Sequence, residues 1–257
     1  MSGIILIAII VFVSTKQKNE VCSGINIQIA DTSGIKIIDT NLIMTVIEQG
    51  GNKIINRPIA DINVAEIENQ LNENLFVKHA EVYFKINGEL VVKVEPRIPI
   101  VRVCNRLNQH FQIDYEGSIM PISRKNQVRV IAANGNISHK PKFDTIFNIY
   151  ERKYDKRIDI KTLREIHELA RFIHSSAFWD AQVQQIFIND EDEIELSMLV
   201  GNQNVLFGNI DNYNEKFRNL EAFYRKAMPV KGWNAYKELN VKYKNQVICT
   251  RMEQITL

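Results

Sequence analysis

Only three cysteines occur in the 257 residues, Cys22, Cys104 and Cys249, far apart and odd in number. No Cys-x-x-Cys pair exists, which removes zinc ribbons and thioredoxin-like motifs and leaves a fold that disulfides do not staple. Six prolines, 11 glycines and no low-complexity tract exclude collagen-like and linker-type chains. Charge of one sign is also missing: the net charge is +2, basic and acidic residues alternate, and no basic stripe offers a footprint for nucleic acid. The longest acidic run, Asp190-Glu191-Asp192-Glu193, has no glycine-containing ligand loop behind it and reads as the solvated tip of a hairpin, not a calcium site.

The familiar catalytic motifs are absent too. No Gly-x-x-x-x-Gly-Lys cradle for phosphate and no Gly-x-Ser-x-Gly elbow occurs; Gly50-Gly51-Asn52-Lys53 follows a helical pattern, not a strand. His167-Glu168-Leu169-Ala170-Arg171 resembles a zinc-protease helix, but Arg171 stands where the second imidazole must be. His174 has no carboxylate framework in sequence. The expectation is a chain without enzymatic activity, cofactor, metal or small-molecule substrate.

One apolar run is unbroken, IILIAIIVFV at 4–13. A helix from Met1 to Ser14 would span about 21 Å, short of a hydrocarbon core of about 30 Å. A basic start and a small-residue cleavage site, the marks of a signal peptide, are missing. Residues 1–15 therefore read as the outer part of a transmembrane anchor, with Lys16 and Lys18 at its exit into the interface.

Beyond that run the chain is rich in period-two and period-3.6 patterns. Residues 21–31 alternate Ile25, Ile27 and Ile29 with polar side chains, the pattern of a short strand. Asp39 precedes the stripe Leu42, Ile43, Val46 and Ile47; Asn63 with Glu66 forms a capping box ahead of Val64, Ile67, Leu71 and Leu75. Then come Val82, Phe84 and Ile86, and, beyond Asn87-Gly88, Leu90, Val92 and Val94, the two arms of a hairpin. Keeping both apolar sets on one face favours a three-residue turn, Asn87-Gly88-Glu89, pairing Ile86 with Leu90, Phe84 with Val92 and Val82 with Val94. Pro96 and Pro99 belong at a strand end, edge or bulge.

The texture changes near residue 100. Strand patterns cover 100–104, 110–114, 118–122 and 128–132, with turn signals at Tyr115-Glu116-Gly117 and Asn134-Gly135. Helical patterns cover 159–176 and 212–227, and strands are expected at 183–188, 193–200, 205–207, 239–243 and 247–251. The fold class is α+β, in the order strand–helix–helix–strand–strand and then a mixed, mainly antiparallel β domain with two helices.

The first of these domains resembles a POTRA module, on Leu71-x-x-x-Leu75, Val77-x-x-Ala80-x-Val82, Leu90-Val-Val-Lys-Val-Glu95 and Pro99-Ile-Val. Phe111-Gln-Ile-Asp114-x-x-Gly117-x-x-Met120-Pro121 and Leu239-Asn-Val-Lys-Tyr243 with the strand after it extend the likeness across the chain, which resembles the bacterial FtsQ/DivIB division family. The resemblance implies residues 1–15 as a partial anchor, 21–100 as the POTRA domain and 101–257 as the FtsQ-type β domain. It implies a single-pass protein of the bacterial inner membrane, at the division septum, with its bulk periplasmic. Its role would be to recruit FtsB-like and FtsL-like bitopic proteins and help regulate septal peptidoglycan synthesis, without catalysis.

In such proteins the last strand and the preceding helix meet the partner, whose own strand adds to the sheet edge. Carried over, the partner-binding residues are Tyr243, Asn245, Gln246, Val247, Ile248, Cys249, Thr250 and Arg251, with Lys216 as a charged contact on the helix. Gln246 stands where some relatives have glycine, and Arg251 where some have tryptophan. Ile248→Pro is expected to abolish binding and leave the domain folded. Two other readings stay open at this point: a POTRA-containing factor of envelope assembly or secretion, and an envelope enzyme with a docking domain. A pocket of convergent polar groups would favour the enzyme, a free sheet edge the scaffold.

Overall fold

A computed structural model describes residues 20–30, 37–48, 53–123, 128–201 and 203–252. The run at 4–13, read as part of an anchor, lies outside them, as does Gly50-Gly51. Among the described residues no helix is long and apolar enough to cross a membrane. The chain is a mixed α+β protein whose two compact units divide between Ile98 and Pro99.

The first unit is built from β1 (Gly24–Ile29), α1 (Thr40–Ile47), α2 (Val64–Asn72), β2 (Val77–Phe84) and β3 (Glu89–Pro96). Both helices start on the expected caps: Asp39 Oδ1 accepts from the Leu42 N–H at 2.8 Å, and Asn63 Oδ1 from the Glu66 N–H at 3.2 Å. Helix α2 stops at Asn72, so Leu75 lies beyond it and not on its stripe. The sheet order is β1-β3-β2, with β1 parallel and β2 antiparallel to β3.

The hairpin differs from expectation by its register. Phe84 faces Leu90, Val82 faces Val92 and Ala80 faces Val94, and the connection is Ile86-Asn87-Gly88. The reason is Gly88, whose φ of 80° fills the left-handed bulge position that closes a three-residue turn. The same parity keeps the apolar sets buried, but Ile86 is carried to the tip, 100% exposed. Val91, on the opposite face from Leu90 and Val92, is also fully buried, in the central strand of the sheet. Pro96 ends β3 opposite an irregularity in β2.

The second unit carries β4 (Pro99–Cys104), β5 (His110–Asp114), β6 (Ser118–Met120), β7 (Ile131–Gly135) and β8 (Phe147–Asn148). Helices α3 (Ile158–His174) and α4 (Ala177–Gln182) come next, then β9 (Val183–Ile188), β10 (Ile194–Met198) and β11 (Asn204–Gly208). Helices α5 (Tyr213–Lys226) and α6 (Met228–Lys231) lead to β12 (Tyr236–Asn240) and β13 (Ile248–Arg251). The strands form one mostly antiparallel sheet in the order β13-β12-β11-β10-β9-β7-β4-β5-β6-β8.

Helix α3 lays Leu163, Ile166, Leu169, Ala170 and Ile173 into the core, and α5 adds Phe217, Leu220 and Tyr224. Phe172 and Phe223 are half-buried at its margin. The rings of Phe172, Trp179 and Phe207 surround Phe217 at centroid distances of 4.7, 4.9 and 5.1 Å, joining α3, α4 and β11 to α5. Helix α3 stops at His174, two residues short of the expected Ser176, whose side chain instead accepts from the Trp179 N–H and caps the short helix α4. Asn134-Gly135, expected as a turn, ends β7 instead: Gly135 pairs with Ile188 of β9. The acidic run lies at the tip of the β9–β10 hairpin.

Candidate docking edge

Strand β12 pairs with β13 in the register Leu239–Cys249 and Asn240–Ile248, and β13 has no neighbour on its other side among the described residues. Two hydrogen bonds decide which backbone groups face outward. The Val241 N–H donates to the Leu206 carbonyl, so odd-numbered residues at this end of β12 face β11, and Glu238 and Asn240 face β13. Their partners Thr250 and Ile248 therefore point inward, consistent with the Met252 N–H donating to the Ala235 carbonyl. Val247, Cys249 and Arg251 are left with their N–H and C=O groups on the open edge. The opposite edge ends in the two-residue β8, too short to template much pairing.

Side chains along the edge divide by face. Val247 and Cys249 pack against the core with Leu239, and burial pushes the Cys249 thiol up. Ile248, Thr250 and Arg251 are exposed, as is Tyr243 in the connection. Asn245 and Gln246 are exposed turn residues, and Asn245 holds a φ of 58°, which asparagine tolerates better than most side chains. Lys242 fixes the connection, its ammonium 2.7 Å from Glu193 Oε2 on the neighbouring hairpin tip.

A hollow flanks each end of the strand. One, of about 130 Å³, lies between α5 and the connection, lined by Glu215, Lys216, Asn219, Lys242 and Tyr243. The other is open and larger, about 800 Å³, with Lys231, Trp233, Tyr236, Arg251 and Met252 around it. Trp233 stacks on Tyr224 at 5.6 Å, and the Gln203 side-chain amide donates to its carbonyl. Trp233, Tyr236 and Met252 were not singled out by sequence; nothing in their spacing marks them, since the hollow forms only when β12 and β13 pair.

Lys216 stands apart from the other expected residues. It is buried, and its ammonium donates to the Phe207 carbonyl at 3.0 Å, the Asn209 carbonyl at 2.7 Å and Asn209 Oδ1 at 3.1 Å. All three donors are thus used inside the unit, at the end of β11, and burial lowers the amine's pKa. Lys216→Met keeps the stem but leaves those oxygens without their donor. A loss of about 2–3 kcal/mol is expected, read as a lower urea midpoint.

The histidine of the zinc-protease-like helix is likewise spent on structure. His167 is fully buried, its Nε2 2.9 Å from the Asp114 carbonyl and its Nδ1 2.8 Å from the Tyr150 hydroxyl. His139, also buried, sits 2.8 Å from Asp159. Burial lowers both imidazole pKa values, in His139 against the pull of Asp159. The unfolded chain therefore binds more protons than the folded one below an ordinary histidine pKa of about 6.5. Stability should be full above that pH and fall as pH drops through the folded values; urea midpoints between pH 7.5 and 5.5 would read this, and His167→Gln should flatten the fall. Among the described residues no cluster of metal-ligating side chains occurs.

The family profile described as FtsQ/DivIB, C-terminal related, matches residues 98–250, more than half of the chain. The profile described as POTRA-like domain matches residues 20–95. No curated protein sequence matches the chain.

Proposed function

The chain belongs to the FtsQ/DivIB, C-terminal related family, and from that premise we propose that it is a non-enzymatic division scaffold that captures a partner strand on the open edge of β13. The partners are small bitopic division proteins of the FtsB and FtsL kind, and through them the chain helps regulate septal peptidoglycan synthesis. In this reading residues 1–15 belong to a single inner-membrane anchor, and both units lie in the periplasm at the septum.

The observation that carries the proposal is the row of outward N–H and C=O groups on Val247, Cys249 and Arg251, with a hollow at each end of the strand to receive partner side chains. Main-chain bonds would supply affinity there, and Ile248, Tyr243 and the hollows would select the sequence. The experiment is co-purification of the full chain with the extracytoplasmic segments of the same organism's FtsB-like and FtsL-like proteins. Capture that fails when proline replaces an outward-facing residue supports the reading. Absence of capture by the unaltered, folded chain would refute it.

A further inference from the structure

Among the described residues of the first unit the exposed large hydrophobic ones are Val21, Ile55, Tyr83 and Ile86, and three of these four gather at one end. Hydrogen bonds place them there. The Ser23 N–H donates to the Gly88 carbonyl at 3.0 Å and its hydroxyl to the Asn87 carbonyl at 3.1 Å, which holds the entering chain against the hairpin tip that carries Ile86. The Cys22 N–H donates to the Arg57 carbonyl at 2.9 Å, and the Asn56 N–H returns to the Cys22 carbonyl at 2.9 Å. A turn closed by the Arg57 N–H on the Ile54 carbonyl then carries Ile55, next to the Asn56 that bonds to Cys22, while Val21 pairs with Pro58. Ile86 is 100% exposed, Ile55 50% and Val21 45%, so the fold gains little from any of them.

This is also the end at which the chain arrives. Strand β1 starts here, Gly24 beside Glu89, and in sequence only the six residues 14–19 separate Glu20 from the apolar run at 4–13. The seven steps from Val13 to Glu20 reach at most about 25 Å when extended, so this end stays that close to the run. Lys16 and Lys18 in the link and exposed Lys53 beside Ile54 supply the cations that accompany aliphatic side chains at an anionic lipid surface.

We propose that this end of the first unit rests on the bilayer, with Ile86, Ile55 and Val21 seated at the headgroup boundary. The proposal rests on the anchor reading above. It turns a tether into a second contact, which would fix how the first unit stands on the membrane.

The test uses the full chain in vesicles of phosphatidylethanolamine and phosphatidylglycerol, with and without brominated acyl chains. Three proteins are compared: the unaltered chain, Ile86→Trp, and His79→Trp, which sits five residues back from the Phe84 end of β2, about 16 Å along the strand at roughly 3.3 Å per residue. Trp179 and Trp233 give the same background in each. The expected result is a blue shift and loss of emission on brominated lipid for Ile86→Trp alone. If the chain floats with vesicles but Ile86→Trp is not quenched, the contact is refuted and the anchor stands. Equal quenching at both positions would overturn the end-on contact. A chain that does not float with vesicles would overturn the anchor and the contact together.

Discussion

Proline at Cys249 or Arg251 is expected to abolish capture of a partner strand, whereas proline at Ile248 or Thr250 is expected to loosen β13 itself. The difference lies in which way each N–H points. Cys249 and Arg251 face the open edge, so proline there removes a donor that only a partner would use, and its ring occupies the partner's path. Proline is tolerated on an edge strand when its missing N–H faces outward, so the fold should keep its melting temperature. Losing one main-chain bond at about 0.5–1.5 kcal/mol, together with the steric block to the partner strand, should weaken binding by about 100-fold or more.

Ile248 and Thr250 instead meet Asn240 and Glu238 inside the sheet, so proline there breaks existing bonds and should cost about 1–3 kcal/mol of stability. Ile248→Pro, the natural choice from sequence, therefore confounds unfolding of the edge with loss of the partner. Titration of the partner against all four variants, beside their thermal unfolding, separates the two effects. Normal binding by Cys249→Pro would remove strand addition from the mechanism.

That reversal of roles between neighbouring residues marks where sequence reading stops. Local pattern was enough for β5 and β9, whose limits at His110–Asp114 and Val183–Ile188 are those the alternation predicts. The long helices and their core faces were equally legible. Strand order was not, because pairing β11 with β12 in parallel and leaving β13 outermost depends on a crossover through α5 and α6 that no local period encodes.

Some of what was missed did leave a trace. Lys216, which the family resemblance offered as a charged contact, precedes Leu220 by four residues and Tyr224 by eight, so the spacing already places it on the helix's buried stripe. Gly88 was readable as a positive-φ residue, yet its place in the turn, last and not central, decided the register. Of the candidate site, the last strand and its neighbours were visible through the family resemblance. The direction of each N–H and the hollow at Trp233 needed the pairing itself.

Gly135→Ala is expected to be the most damaging small substitution in the second unit. Gly135 holds a φ of 99°, and a Cβ built on it would fall on the carbonyl oxygen of Ile188, which accepts from the Asn136 N–H at 2.8 Å. Neither group can move alone, because both belong to the backbone of paired strands. Strand β7 is also the join of the sheet, parallel to β9 on one side and β4 on the other, with β13 to β9 beyond one flank and β4 to β8 beyond the other. Relief of the clash must therefore part the two halves.

A cost of about 4 kcal/mol, in the tail reserved for strain and core disruption, corresponds to a fall of about 8–16 °C in the melting temperature of a unit this size. Gly232→Ala separates conformation from crowding. Gly232 has a φ of 86° but nothing within 4 Å of its added carbon, so it should lose only the conformational cost of about 1–3 kcal/mol. Equal losses in the two variants would mean that the left-handed backbone, not the approach of β9, is what requires glycine at 135.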